Sequence, residues 1–492
     1  MNGEPDLLIG GEWRHASDGG TREIINPADG SVAAVVDEAT PDDARDAVAA
    51  ARKAFDDGEW PATSVADRAA LLDRVADLLQ RDKESLAELE TRDTGKTLAE
   101  SRIDIDDVTS VFRYYAKLAA VESDRVVDVG DPAVISRVVR EPIGVCVLIA
   151  PWNYPLLQMS WKIAPALAAG CTMVAKPSEV TPLTTIAFVH LLQESGVPDS
   201  VVNLVQGSGA TLGSALTDTP DVDFISFTGG VTTGKAISKV AAEHVTKVAV
   251  ELGGKNPHIV FADADWDSAV DHVLTGVFLH SGQVCSAGTR LIIEESIADD
   301  FVTDLAGRAE KIRMGDGMDP ASETGPLVSE QQRAKIEAFV QQGISEGAKL
   351  VTGGARPGDQ SLAKGSFYLP TIFDRCDRSM RIVQEETFGP ILTVERFTTE
   401  AEAIELGNDT EYGLAAGVRT SDQARGERVV RALRHGTVWL NDFGYYTAAA
   451  EWGGFGKSGN GRELGPTGLA EYQEIKHIWH NTAPQPAGWF KG

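Results

Sequence analysis

From residue 143 onward the chain repeats a rhythm that few architectures can satisfy. Short runs that are apolar at nearly every position alternate with helical stretches. The runs are VCVLIA (145–150), TMVAK (172–176), VNLVQ (202–206), FISFT (224–228) and HIVFA (258–262). Strands without polar alternation are covered on both faces, as parallel strands joined by crossover helices are. The expected unit is a doubly wound α/β domain whose ligands bind beyond the carboxyl ends of its strands. A second α/β region follows, with helical patterns near 265–280, 329–346 and 421–434 and strands near 291–295, 392–397 and 437–441. Residues 353–366 read as a surface loop, rich in glycine and proline.

Ahead of these regions the chain is helical. Thr40-Pro41-Asp42-Asp43 supplies a capping hydroxyl, a first-turn proline and two acids at a helix start. Apolar residues from Ala66 to Leu89 keep helical spacing as one run, and Gly95 ends it. Residues 120–141 and 470–480 look extended and join neither core.

Length and charge narrow the class. At about 150 residues per domain, 492 residues make two or three domains. With 73 acidic against 45 basic side chains the net charge is −28, which opposes binding to nucleic acid or anionic lipid. Acids spread along the whole chain read as a heavily solvated surface, one suited to salt. Cys146, Cys171, Cys285 and Cys376 form no C-x-x-C pair, so neither a disulfide framework nor a metal site is expected, and a reducing cytoplasm is. The opening MNGEPDLLIGGEW lacks the order of a secretory signal. Residues 142–161 carry no formal charge, but Pro142, Pro151, Pro155 and Asn153 make them a poor membrane span.

Several segments could carry chemistry. Cys285, in GQVCS, is either a small buried hydrophobe or a nucleophile presented by a flexible loop. Glu251 closes an apolar strand and enters the glycine turn ELGGKNP, where an apolar setting would make it a base near neutral pH. Asn153, in PWN after another strand, is either a turn residue or an amide aimed at a developing oxyanion. No G-x-G-x-x-G follows a strand. GSGATLG (207–213) and FTGGVTTG (227–234) each place glycines between a strand and a helix, where backbone N–H groups can hold an anion. Lys176 in KPSE offers a cation, and Glu179 a carboxylate for ribose hydroxyls.

In this order, PWN, KPSE, FTGG, ELGGKNP, GQVCS, EETFGP and GFGKSGNGRELG resemble the aldehyde dehydrogenase superfamily across essentially the whole chain. The resemblance implies a variant Rossmann cofactor domain (1–119 and 143–251), a second α/β catalytic domain (252–469) and a small β oligomerisation element (120–142 and 470–492). It implies Cys285 as a thiolate nucleophile, Glu251 as the base for hydrolytic water and Asn153 in the oxyanion hole. Lys162 and Glu463 match a proposed charge relay, for which a structural ion pair is an equal reading. The implied cofactor is NAD rather than NADP, because the Glu179 carboxylate would repel a 2′-phosphate. Its contacts would come from Trp152, Lys176, Ser178, Glu179, Gly209, Gly229, Gly230, Leu252, Glu386 and Phe388. No nucleic acid or membrane partner is implied, and a homodimer or homotetramer is.

The substrate is read from aromatic residues. Tyr154 and Trp161 are seven apart on an expected helix start, which puts them on one face. Trp452 lies beside another glycine turn, and the neighbouring Glu451 could also attract a cation. Aromatic faces attract quaternary ammonium groups. These positions resemble the aromatic box of the branch that oxidises betaine aldehyde. An ω-aminoaldehyde or general aliphatic aldehyde dehydrogenase is the second reading, and a non-catalytic scaffold is the alternative from another class.

Overall fold

The computed structural model describes residues 3–121 and 124–490. Residues 122–123 and 491–492, at the edges of the expected oligomerisation element, lie outside the described residues.

Eight strands make the first sheet, in the order Gly459–Asn460, Lys247–Glu251, Phe224–Thr228, Val145–Ile149, Thr172–Lys176, Val202–Leu204, Leu7–Ile9, Glu12–Arg14. Its central five pair in parallel. Successive strands run outward from Val145–Ile149 in one direction, then the chain returns to add Phe224–Thr228 and Lys247–Glu251 on its other side. That reversal leaves a crevice beyond the carboxyl ends of the strands. Val145–Ile149 is buried throughout: Cys146 and Leu148 face one apolar cluster, while Val145, Val147 and Ile149 face another. Each such aliphatic side chain contributes about 1.5–3 kcal/mol of burial.

The second sheet has seven strands, ordered Lys349–Thr352, Thr371–Asp374, Ile391–Phe397, Arg290–Glu294, Pro257–Val260, Ala415–Arg419, Thr437–Leu440. All pairings but that of the Lys349–Thr352 edge are parallel. The run HIVFA, expected with the first sheet, belongs here. A strand buried on both faces looks the same from its own residues whichever sheet it joins.

Gly459–Asn460, distant in sequence, pairs antiparallel with the edge of the first sheet through Val250↔Asn460 and Glu251↔Gly459. Leu252 N donates to Ser458 O at 2.9 Å, which continues the stitch.

Gln473–Asn481, Val134–Pro142 and Arg125–Val127 form a separate antiparallel sheet. Both extended segments read from the sequence therefore meet each other. Val126 (73% exposed), Ile475 (68%) and Trp479 (56%) leave apolar surface on this sheet.

Among the helices, Thr40 and Asp43 close a capping box ahead of Pro41–Asp56. The single run expected over 66–89 is two helices, Val65–Arg81 and Lys83–Thr94, separated at Asp82. Gly95 ends the second at φ 82°, where a Cβ would meet Pro326 and Pro27 at under 3 Å. Pro155–Ala169 is buried over its full length behind the first sheet. Val231–His244 ends on Val245, a β-branched residue held at φ 60° and 90% exposed.

Candidate active site

A cavity of about 500 Å³ opens beyond the strand ends of the first sheet and reaches the second α/β unit. Cys285, Glu251 and Asn153 line it. So do Trp152, Lys176, Ser178, Glu179, Gly209, Gly229, Gly230, Leu252, Glu386 and Phe388. Residues spread over more than 230 positions of sequence thus share one wall because four strands end there.

Cys285 is delivered by a strained turn. His280, Ser281 and Gly282 all adopt left-handed backbone, at φ 48°, 52° and 70°. Each non-glycine residue there costs of the order of 1–3 kcal/mol. Local bonds hold the turn: His280 N donates to Glu100 at 2.8 Å and Ser281 Oγ to Gly325 O at 2.6 Å. Asn256, in the ELGGKNP loop, donates through Nδ2 to both Cys285 O and Ala287 O at 2.9 Å. One amide therefore ties the Glu251 loop to the cysteine loop. Asn153 Nδ2 donates one hydrogen to Gln283 O at 2.8 Å, which fixes the amide beside the cysteine turn.

The electrostatics are those of a dry site. Neither carboxylate oxygen of Glu251 has a hydrogen-bond partner, and the residue is 3% exposed. Burial, with Glu463 nearby, drives its carboxyl well above the usual range. Burial also pushes the Cys285 thiol up to about 12, with Glu386 and then Glu251 adding to the effect. The thiolate that the resemblance implies would therefore form against two nearby acids, with a base to take its proton. Glu386 itself is raised by burial to about 7, against the Gly254 N–H, Lys335 and Lys255. Gly254 N donates to it at 3.0 Å, and a Cβ on Gly253 would stand 2.0 Å from its carboxylate.

At the far end of the cavity, Lys176 is 2% exposed, donates to Pro177 O at 3.1 Å and lies 3.9 Å from Glu179. Gly209 N donates to Glu179 at 3.4 Å. Phe388, at φ 58°, meets the edge of Trp152 with ring centroids 5.1 Å apart.

Lys162 and Glu463 stand outside the cavity lining as a buried ion pair. Lys162 Nζ also donates to Ser226 at 3.0 Å and Thr228 at 2.8 Å. The pair is near enough to Glu251 to act on its charge.

The aromatic residues assemble differently from the sequence reading. Trp161 and Trp452 do meet, centroids 5.9 Å apart, and Trp452 is buried. Tyr446, not foreseen, completes the group at 5.3 Å from Trp161 and 5.9 Å from Trp452. The second tyrosine of FGYY was the available signal. Cys285, Tyr154 and Tyr446 pack against the cluster that holds both tryptophans. Tyr154 packs against the same cluster from the cap of the helix that carries Trp161. Pro155 takes the first helical position, so Tyr154 is the cap, with φ −131°, and meets His280 at 5.5 Å. The Lys96 ammonium covers one face of its ring at 4.1 Å. Glu451, offered as a cation attractor, instead accepts from Thr467 Oγ1 at 3.0 Å.

The sequence pattern of the aldehyde dehydrogenase family matches residues 13–478. The chain belongs to the aldehyde dehydrogenase family. Within it, a betaine aldehyde dehydrogenase of Bacillus subtilis (strain 168) is 55% identical over 98% of this chain and 99% of its own length. Aminoaldehyde dehydrogenase 1, peroxisomal, of Pisum sativum is 43% identical over 99% of this chain and 97% of its own. A crystal structure of betaine aldehyde dehydrogenase from Staphylococcus aureus in complex with NAD+ matches with a TM-score of 0.98 at 49% identity, covering 100% of this chain and 98% of that one. The cavity of this aldehyde dehydrogenase thus carries a thiol, an unpartnered carboxyl and a fixed amide at one end, and a lysine with a glutamate at the other.

Proposed function

We propose that this protein oxidises betaine aldehyde to the acid with NAD. The substrate class is supported by the ring group Trp161, Trp452 and Tyr446, whose members meet one another in the apolar core against which Cys285 packs, outside the lining of the cavity. Ring faces attract a quaternary ammonium group by about 0.5–2 kcal/mol each. Tyr446 donates its hydroxyl to Asp107 at 2.6 Å, which adds a carboxylate to a neighbourhood suited to a cation. The high identity to a relative named for betaine aldehyde supports the same choice.

The lining fits a dinucleotide. Gly209 and Gly213 leave room where a Cβ would stand 3.9 Å from Glu179 and Lys176, and an added Cβ on Gly230 meets nothing within 4 Å. Lys176 and Glu179 would hold the adenosine ribose, Gly229 and Gly230 the pyrophosphate, Glu386 and Phe388 the nicotinamide ribose and ring. Trp152, Ser178, Gly209 and Leu252 would wall the groove. When bound, NAD supplies the acceptor for the hydrogen that leaves the aldehyde carbon with its electron pair.

The chain's own residues do the rest. Glu251, an unpartnered base in a dry site, takes the thiol proton as Cys285 Sγ adds to the carbonyl carbon. The second N–H of Asn153 Nδ2 and the backbone N–H of Cys285 receive the developing oxyanion, a contribution of about 3–4 kcal/mol per donor. Once hydride has left, the carbon is a thioester on Sγ. With the thiol proton released to solvent, Glu251 is again a carboxylate; it deprotonates the attacking water, the acid departs, and Sγ takes back a proton. Lys162 and Glu463, bonded to Ser226 and Thr228, bias the charge on Glu251 from a distance.

The test compares kcat/KM for betaine aldehyde, 4-aminobutyraldehyde and propanal with NAD. Betaine aldehyde should lead by at least tenfold, and Trp452→Leu should erase that lead while sparing propanal. Equal values for propanal would sink the assignment. The second reading, an ω-aminoaldehyde, is favoured by Asp107 beside the rings, and a lead for 4-aminobutyraldehyde would select it. The product of the first reading is a compatible solute, which accords with an osmoprotective role in the cytoplasm. Assembly as a homodimer or homotetramer would bury the apolar surface of Val126, Ile475 and Trp479. Light scattering of the purified chain tests this.

A further inference from the structure

We propose that the Arg22–Glu38 pair is a second determinant of dinucleotide choice, one that keeps an arginine from serving a 2′-phosphate. The inference rests on the placement of the adenosine ribose at Lys176 and Glu179. Arg22 lies on Thr21–Ile25 and Glu38 just beyond the paired strand Val32–Asp37. The two are locked together: Arg22 Nη2 donates to Glu38 Oε1 at 2.8 Å, and its Nε donates to Oε2.

Glu38 stands one residue from the wall of the cofactor groove and acts on the charge of Lys176. Its Oε1 accepts the backbone N–H of Ser208 at 2.9 Å, and the next residue, Gly209, gives its N–H to Glu179 at 3.4 Å. Two successive backbone donors beside the ribose position are therefore taken by carboxylates of the protein itself. Arg22 holds the Glu38 carboxyl below its usual range, with help from the Ser208 N–H and Lys176, so this carboxylate keeps its charge. Lys176 is accordingly flanked by two acids, and the one guanidinium in the group is already bidentately paired.

A 2′-phosphate entering here meets two carboxylates and finds both neighbouring N–H groups and Arg22 engaged. Removing Glu179 alone relieves one repulsion and leaves Arg22 bound. Removing Glu38 as well releases Arg22 and the Ser208 N–H. Charge-assisted bonds to phosphate are about twice as strong as neutral ones, so this release should exceed the effect of lost repulsion alone.

The experiment measures kcat/KM for NADP and NAD with betaine aldehyde in E179Q, E38Q, E38Q/E179Q and R22M/E38Q/E179Q. E179Q should raise the NADP-to-NAD ratio several-fold. E38Q/E179Q should raise it about tenfold further, and R22M should abolish that further gain. Titration with adenosine 2′,5′-bisphosphate against 5′-AMP, which needs no turnover, should follow the same order. The proposal is overturned if the double variant favours NADP no more than E179Q, or if its gain survives loss of Arg22. An unchanged ratio in E179Q itself would overturn the ribose placement, and the proposal with it.

Discussion

Glu251 and Glu395 are both buried glutamates on strands of the two large sheets, and they are treated in opposite ways. Glu395 gives each of its oxygens to Arg290, at 2.7 and 3.0 Å, and is 2% exposed. Glu251 is 3% exposed and neither of its oxygens has a partner. A buried carboxylate matched by a guanidinium is inert. One left unmatched stores free energy that a proton, and hence a reaction, can release.

The contrast can be broken by mutation, most severely at the reacting groups. Cys285→Ala should lower turnover by at least about a thousandfold. Its melting temperature and NAD affinity should stay within error. Surviving turnover would remove the sulfur from the chemistry. Glu251→Gln should lower turnover by about 10²–10⁴-fold without loss of stability. Because folding raises this carboxyl, ionising it opposes the fold. Wild type should therefore lose stability relative to E251Q as pH climbs above the ordinary carboxylate range, which denaturant melts at several pH values would read.

Glu395→Ala should do the reverse, costing about 3–5 kcal/mol in denaturant unfolding because it strands Arg290 without a counter-charge. If E395A were stable and E251Q not, the distinction between the two acids would fall. Next in size is the behaviour of the thiol. With its pKa near 12, alkylation of Cys285 in cofactor-free protein should quicken about tenfold per pH unit between roughly pH 7 and 9. A plateau near neutrality would mean a thiolate. The smallest contrast is with strain that serves no chemistry. Val245→Gly should stabilise the protein by about 1 kcal/mol, as melts of the two proteins would show.

Much of the site was legible in the sequence because its members sit where strands end. Glu251, Lys176 and Asn153 each follow an apolar run directly, and the doubly wound pattern sends all such ends to one crevice. What escaped depends on approach between segments that carry no mutual signal. Tyr446, Lys96 and the Arg22–Glu38 hairpin pair come from three distant stretches, and nothing local marks their convergence. One misreading has a local cause: Asp82 divides an apolar periodicity that is continuous in the letters. The run HIVFA was recognised as a strand, yet burial on both faces erased any mark of which sheet it would enter. The upward push on the thiol also lay beyond the sequence, because it depends on which charges surround the sulfur in space.

The strand that carries Glu251 finds its last neighbour only at Gly459–Asn460, and Lys162 finds Glu463 later still. A chain emerging from the ribosome can assemble most of the first sheet early. Its general base lacks a second strand partner until residues 459–460 have been made. Catalytic competence is thus a late event in biosynthesis, and a nascent chain stalled short of that point would hold a half-built dinucleotide groove unable to consume an aldehyde.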